Sequence, residues 1–323
     1  MWGRKRDGAR RSALSLATQV VVWETAGMTR FSLPFAALLA ACSASEAQVE
    51  SVPETGTTVA DVESDAQGPL PVPTEFMPEP AMLIYSDTRG WRHEEGIAGG
   101  NLALIELAAE AGLGYYTTQH SEVFNPDTLA RFDVIVMNSA TGDSLSPAEK
   151  AAFEAWLAND GALVLVHGSL DASQKAWGFY QDELVGTAFI SHPFDPQFQD
   201  ADVVALSPDH PVMEGLPARF SANDEWYTFD RVPDARFTIL AGLDESTYSP
   251  RNDVYGVADL RMGPEPSDHP IVWSRCLPEG GRVVASALGH TAESFEAEEH
   301  RRLLANAIAW TRKAGEDGVG CKS

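Results

Sequence analysis

The chain has 323 residues, 44% of them hydrophobic, enough for one large domain or two small ones. Its formal net charge of −24 argues against nucleic acid, whose phosphates need Lys and Arg, and against adsorption to an anionic membrane surface. Three cysteines, Cys42, Cys276 and Cys321, form no CxxC pair, so no zinc ribbon or thioredoxin motif is available.

In chain order, residues 1–27 open basic and read as a targeting extension or an over-long start. Met28 begins a secretory pattern: Arg30, then the apolar run Phe31–Ala40, then Leu39-Ala40-Ala41-Cys42. That ending resembles the lipobox of bacterial lipoproteins, with Cys42 as the lipidated first residue of the mature chain. On this reading residues 1–41 are a signal segment and residues 42–80 a lipid-anchored disordered linker. The linker is rich in Ser, Glu, Thr and Pro and poor in aromatics, and too little of it can be buried to order it. The protein is then expected in the cell envelope, in the periplasm or at the outer membrane, meeting the membrane through its anchor alone.

The folded domain is expected over residues 81–313, with a tail at 314–323. Met82–Ser86 reads as a strand, residues 87–100 as a glycine-bearing loop, Asn101–Ala111 as a helix stopped by Gly112, and Leu113–Thr118 as a second strand. Phe132–Asn138 is a third. Ser146-Pro147-Ala148-Glu149 is a capping box opening a helix to Asn159. Ala162–Val166 is apolar without a break, as a strand buried on both faces should be. Strands alternating with helices predict an α/β fold with a parallel sheet and helices on both faces. After residue 186 short extended segments dominate and predict further strands of that sheet plus a small β-rich insertion. A last helix is expected from Glu296 to Lys313. Cys276 and Cys321 could pair in an oxidising compartment, but the polar tail around Cys321 argues against it.

Three histidines follow strands: His93 after the first, His167 after Val166, and His290 after the last. Loops at the carboxyl edge of a parallel sheet converge, so the three are candidates for one site. For His167 alone, a capping or packing role remains the other reading. His192, His210 and His269 each precede proline, which fixes an extended or turn backbone, and of the three His192 is the first candidate to reach the crevice. Asp224-Glu225 could supply a ligand or base, and Trp226 and Tyr227 a stacking wall, against the plain reading of a solvated turn before a core strand. Trp177 and Trp91-Arg92 are further substrate-contact candidates. There is no GxSxG, Walker loop, GxGxxG or HExxH, so no nucleotide cofactor is expected. What remains is acid–base chemistry by His and carboxylate, or a divalent metal, zinc first, held at an open site by His93, His167 and His290. Ser169 as a nucleophile beside His167 is a weaker alternative.

Taken in order, several phrases resemble the ThuA-like family, named for a trehalose-utilisation protein. They are Arg92-His93, Phe132–Val136, Thr141-Gly142-Asp143, Gly161–His167, Val185-Gly186, Ser191-His192-Pro193 and Asp209-His210-Pro211. Asp224–Tyr227, His269–Trp273, Gly281-Arg282-Val283 and Leu288–Thr291 complete the set, which covers about residues 81–312. One departure is Gly168-Ser169, where the family more often has alanines. The resemblance implies a flavodoxin-like, class I glutamine-amidotransferase-like, mostly parallel α/β fold without the amidotransferase cysteine. It also implies carbohydrate catabolism through oxidation of a disaccharide to a 3-keto sugar. The expected partner is therefore a sugar or oxidised sugar. Cleavage would use His167, His290 and Glu225 as acid–base or ligand groups, with Trp91, Arg92, Trp177, His192, Trp226 and Tyr227 holding the substrate. A non-catalytic carbohydrate-binding or scaffolding lipoprotein is the rival reading.

Overall fold

A computed structural model of the chain describes residues 77–254, 258–313 and 320–321. The signal segment, Cys42, most of the linker and most of the tail lie outside the described residues. No helix among those described is long and apolar enough to cross a membrane.

The parallel half of the sheet is built from β1 (Ala81–Tyr85), β2 (Gly114–Thr118), β3 (Val134–Asn138), β4 (Ala162–Val166) and β11 (Arg282–Ser286). Every residue of β1, β3, β4 and β11 is buried, as expected for strands covered on both faces. The order β2-β1-β3-β4-β11 is parallel throughout. The sheet then continues antiparallel through β10 (Pro270–Cys276), β9 (Thr238–Asp244), β6 (Phe198–Ala205) and β7 (Arg219–Glu225). Four reversals return β7 to the direction of β11. Its last residue, Glu225, therefore emerges at the same edge as the ends of the parallel strands. The small insertion is a separate ribbon of β5 (Phe189–Ser191) and β8 (Thr228–Phe229).

The helix α1 (Glu94–Glu110) packs on β1 and β3 and touches α4 (Glu298–Thr311), which covers β4 and β11. The helices α2 (Pro126–Leu129) and α3 (Pro147–Ala158) form a second packed pair, and Ser146 and Glu149 close the expected capping box on α3. The loop expected over residues 87–100 is a correction: α1 already begins at Glu94. Its glycines are packing residues rather than loop punctuation. A Cβ on Gly96 would lie 2.4 Å from the Gly289 carbonyl oxygen, and one on Gly100 2.5 Å from Asn138 Nδ2.

Two contacts extend the core beyond the edges of the expected domain. Met77 packs against the core, so ordered chain precedes residue 81. At the other end, Cys321 is joined to Cys276 of β10, with Cα atoms 5.6 Å apart. The neighbouring Gly320 carbonyl accepts from His210 Nε2 at 3.1 Å. The unfavoured pairing of these cysteines is thus present. Polar composition around Cys321 carried no information about which strand that residue could reach.

Candidate functional site

The residue after β4 sets the centre. His167 has φ of +46°, a left-handed conformation that costs a non-glycine residue on the order of 1–3 kcal/mol. Its ring is fully buried, and Nδ1 donates to the Ala287 carbonyl at 2.7 Å. That bond fixes the tautomer and turns Nε2 inward. Nε2 lies 3.0 Å from His290 Nδ1 and 3.5 Å from Glu225 Oε2, while His290 Nδ1 lies 3.0 Å from Glu225 Oε2. His93, just before α1, completes the group. Its ring centroid is 4.8 Å from those of His167 and His290. It is packed against Gly168, where a Cβ would come within 2.8 Å of its ring.

The donor atoms of His93, His167, Glu225 and His290 all lie within 4.8 Å of one another. A tetrahedral zinc bound at 2.0–2.1 Å spaces its ligand atoms by about 3.3 Å. The separations of 3.0, 3.0 and 3.5 Å among His167, His290 and Glu225 bracket that value. In addition, His93 Nδ1 is buried without a hydrogen-bond partner. Three imidazoles and one carboxylate are therefore chemically and spatially suited to a divalent metal.

Within the cluster the charges are organised around Glu225. Burial, reinforced by the neighbouring His167 and His290, pushes His93 down to about 2, so it is a neutral lone-pair donor. Burial would raise Glu225, but hydrogen bonds from His167 and His290 outweigh it and hold the carboxyl far below its usual range. Glu225 is an anion. Burial likewise opposes charge on His167, yet the bond to Glu225 and the charges of Asp224 and Glu225 prevail and raise it.

Asp224 is the residue whose role the sequence did not disclose. It is wholly buried and accepts four hydrogen bonds. They come from Gly289 N at 2.8 Å, His290 N at 3.0 Å, Glu225 N at 2.9 Å and Ser294 Oγ at 2.7 Å. It ties the end of β7 to the loop carrying His290. The alternation of adjacent residues on a strand offered the one available signal: if Glu225 faces the crevice, Asp224 faces away.

Other expected residues divide. His192 reaches the site, with Nδ1 3.2 Å from Glu225 Oε1. Tyr227 lies beside the cluster, its ring 4.4 Å from that of His167 and its hydroxyl 3.3 Å from His93 Nε2. Trp226 and Trp177 are placed in the core instead. Trp226 is 1% exposed, with its indole N–H donated to Gln199 O. Trp177 stacks on Tyr180 and donates to Glu154. Neither offers a free ring face to a sugar. Trp91 is 74% exposed, and Arg92 is engaged with Glu94 and Gln119. Ser169 is a structural residue: its hydroxyl donates to Met137 O and accepts from Ala140 N, which binds the end of β4 to that of β3. Sequence reasoning also missed Gln197, which donates to Glu225 Oε1, and Phe198, which packs on His290.

The fold and the site define a class: an α/β protein of flavodoxin-like, glutamine-amidotransferase-like architecture, with a histidine–carboxylate centre at the carboxyl edge of its sheet. The family model for ThuA, trehalose utilisation, matches residues 81–311, and the chain belongs to that family. Among solved structures it is similar to a protein described as ThuA-like from Bacteroides uniformis. The identity is 23% and the TM-score 0.60, covering 75% of this chain and 95% of that one. A second, described in the same way, comes from Parabacteroides merdae, with 16% identity, a TM-score of 0.55 and coverage of 73% and 92%. These likenesses show the fold. No curated protein matches the chain.

Proposed function

We propose that this protein is an enzyme of carbohydrate catabolism that cleaves a glycoside, with a 3-keto-glycoside as substrate. We also propose that it works in the cell envelope, anchored through a lipidated Cys42. The observation that carries the catalytic reading is the convergence of three imidazoles and an anionic carboxylate at the carboxyl edge of the sheet. A module that only binds sugar has no need to bury such a set. The trehalose-utilisation family supports the substrate class, and the Cys276–Cys321 bond supports an oxidising compartment.

A divalent metal, zinc by the chemistry of the donors, would be held by His93, His167, Glu225 and His290 and would polarise the keto oxygen as a Lewis acid. With these four side chains engaged as ligands, proton transfer falls to His192. Its Nδ1 lies 2.9 Å from Pro193 O and 3.2 Å from Glu225 Oε1, contacts that orient the ring and leave Nε2 as the lone-pair nitrogen. The 3-keto group acidifies the proton on C2. His192 Nε2 takes that proton, the C1–C2 double bond forms, and the glycosidic C1–O bond breaks. The proton returns to the departing oxygen. Water added across the double bond then completes a net hydrolysis. Tyr227, raised well above its ordinary range by burial and by the nearby Glu225 charge, stays protonated as a hydrogen-bond donor.

The test incubates the purified protein with a 3-keto disaccharide and with its unoxidised parent, with and without chelator, and follows released sugar. Release from the keto form alone, lost on chelation, is the expected result. Release from neither substrate with zinc supplied overturns the catalytic reading in favour of a carbohydrate-binding lipoprotein.

A further inference from the structure

The two tryptophans expected to stack on a sugar are buried, yet the crevice has an aromatic face. Phe198 opens β6 and stands directly across the ladder from Glu225. Its ring centroid lies 5.0 Å from that of His290 at an interplanar angle of 62°, so part of the ring is seated on the catalytic cluster. The residue is nevertheless 40% exposed, and it is the one phenylalanine among the exposed large hydrophobic residues described. A half-open aromatic ring packed edge-on against His290 leaves an apolar face free beside the polar groups of the site. The polar groups beside it are equally specific. Gln197 donates to Glu225 Oε1, and His192 Nδ1 meets that same oxygen at 3.2 Å. One edge of the crevice thus presents an aromatic ring, an amide and an imidazole grouped around the buried Glu225 carboxylate.

A pyranose ring has a matching surface: a patch of C–H bonds on one face and hydroxyls around the rim. We propose that Phe198 is the sugar-binding platform of this site, stacking on the C–H face of a pyranose whose rim hydroxyls meet Gln197 and whose C2–H faces His192. This inference rests on the glycoside reading above. It narrows the substrate to a ring-closed pyranoside rather than a linear polyol, which has no flat C–H face to present. Stacking next to His290 would also hold the ring rigidly over the residues that act on it.

The test compares wild type with Phe198→Leu, which keeps apolar volume without a π face, and Phe198→Trp, which restores one. Folding is checked by circular dichroism, and zinc binding is measured on the same preparations. Binding of a 3-keto disaccharide, its parent and sorbitol is followed by calorimetry, and cleavage by released sugar. The expected outcome is a Kd and KM for the disaccharides about tenfold higher in Phe198→Leu, from the loss of aromatic contact. Recovery is expected in Phe198→Trp, with zinc binding unchanged in both and no binding of sorbitol by any form. Wild-type affinity and KM in Phe198→Leu, while wild type binds and cleaves, overturns the platform and leaves the glycoside reading standing. Sorbitol bound as tightly as the disaccharides overturns the pyranoside assignment. A wild type that neither binds nor cleaves either sugar overturns the functional reading and the platform with it.

Discussion

Replacing Asp224 by Asn changes one atom in a wholly buried group and tests how the site is held together. Oδ1 accepts from Glu225 N and His290 N, while Oδ2 accepts from Gly289 N and Ser294 Oγ. An asparagine keeps the shape but has one acceptor oxygen. If that oxygen takes the Oδ1 position, the amide nitrogen faces the Gly289 N–H, and two donors confront each other. The Ser294 hydroxyl can rotate to accept, but a backbone N–H cannot. In the flipped orientation two backbone N–H groups, of Glu225 and His290, lose their acceptor, so the first is preferred. One buried donor left without a partner costs about 1–3 kcal/mol. With a urea m-value near 3 kcal/mol/M for a domain of this size, the unfolding midpoint should fall by about 0.3–1 M with m unchanged. Zinc affinity should fall as well, because the His290 backbone is no longer fixed, by about 10–100-fold as for other groups that orient metal ligands. Equilibrium urea unfolding followed by tryptophan fluorescence, with zinc titration on the same samples, reads both quantities. A midpoint and an affinity both equal to wild type would refute the argument that Asp224 locks the His290 loop.

Other outcomes follow from the same geometry. Glu225→Gln removes the anion at the centre of the cluster and should abolish stoichiometric zinc binding while leaving the circular dichroism spectrum intact; retention of tight binding would show that the carboxylate is no ligand. Ser169→Ala should lower stability by about 1–2 kcal/mol through the loss of two buried backbone contacts and leave sugar release unchanged, and reaction with a serine-directed probe would contradict this. Reducing the Cys276–Cys321 bridge, which spans 45 residues of sequence, should cost roughly 4 kcal/mol on loop-closure grounds and be visible as a lower Tm in dithiothreitol. His210 is pushed down to about 4 by burial, although the bond to Gly320 opposes this. The unfolded chain therefore binds the extra proton between about pH 6.5 and 4, and stability falls as pH drops through that window. His210→Gln should flatten part of this loss in a Tm series from pH 7 to 4.5.

Much of the parallel half of the molecule is written locally. The unbroken, β-rich apolar run Ala162–Val166, bounded by Gly161 and His167-Gly168, suits a doubly covered strand, and the Ser146–Glu149 capping box marks a helix start without any outside help. Because parallel strands all end at one edge, the histidines after β1, β4 and β11 were legible as a group from their positions alone. Other decisions needed the tertiary structure. Glu225 joins the histidines because four antiparallel reversals bring the end of β7 back to that edge, a long-range parity that no local pattern encodes. Gly96 and Gly100 look like loop residues until the atoms that exclude a Cβ are in place around them. Trp177, Trp226 and Phe198 are similarly apolar in sequence; packing against neighbouring elements buries the first two and leaves the third facing the crevice. Local chemistry thus determined the strands, the helix caps and the donor types, while burial, hydrogen-bond partners and the choice among equivalent side chains were decided by contacts between segments distant in the chain.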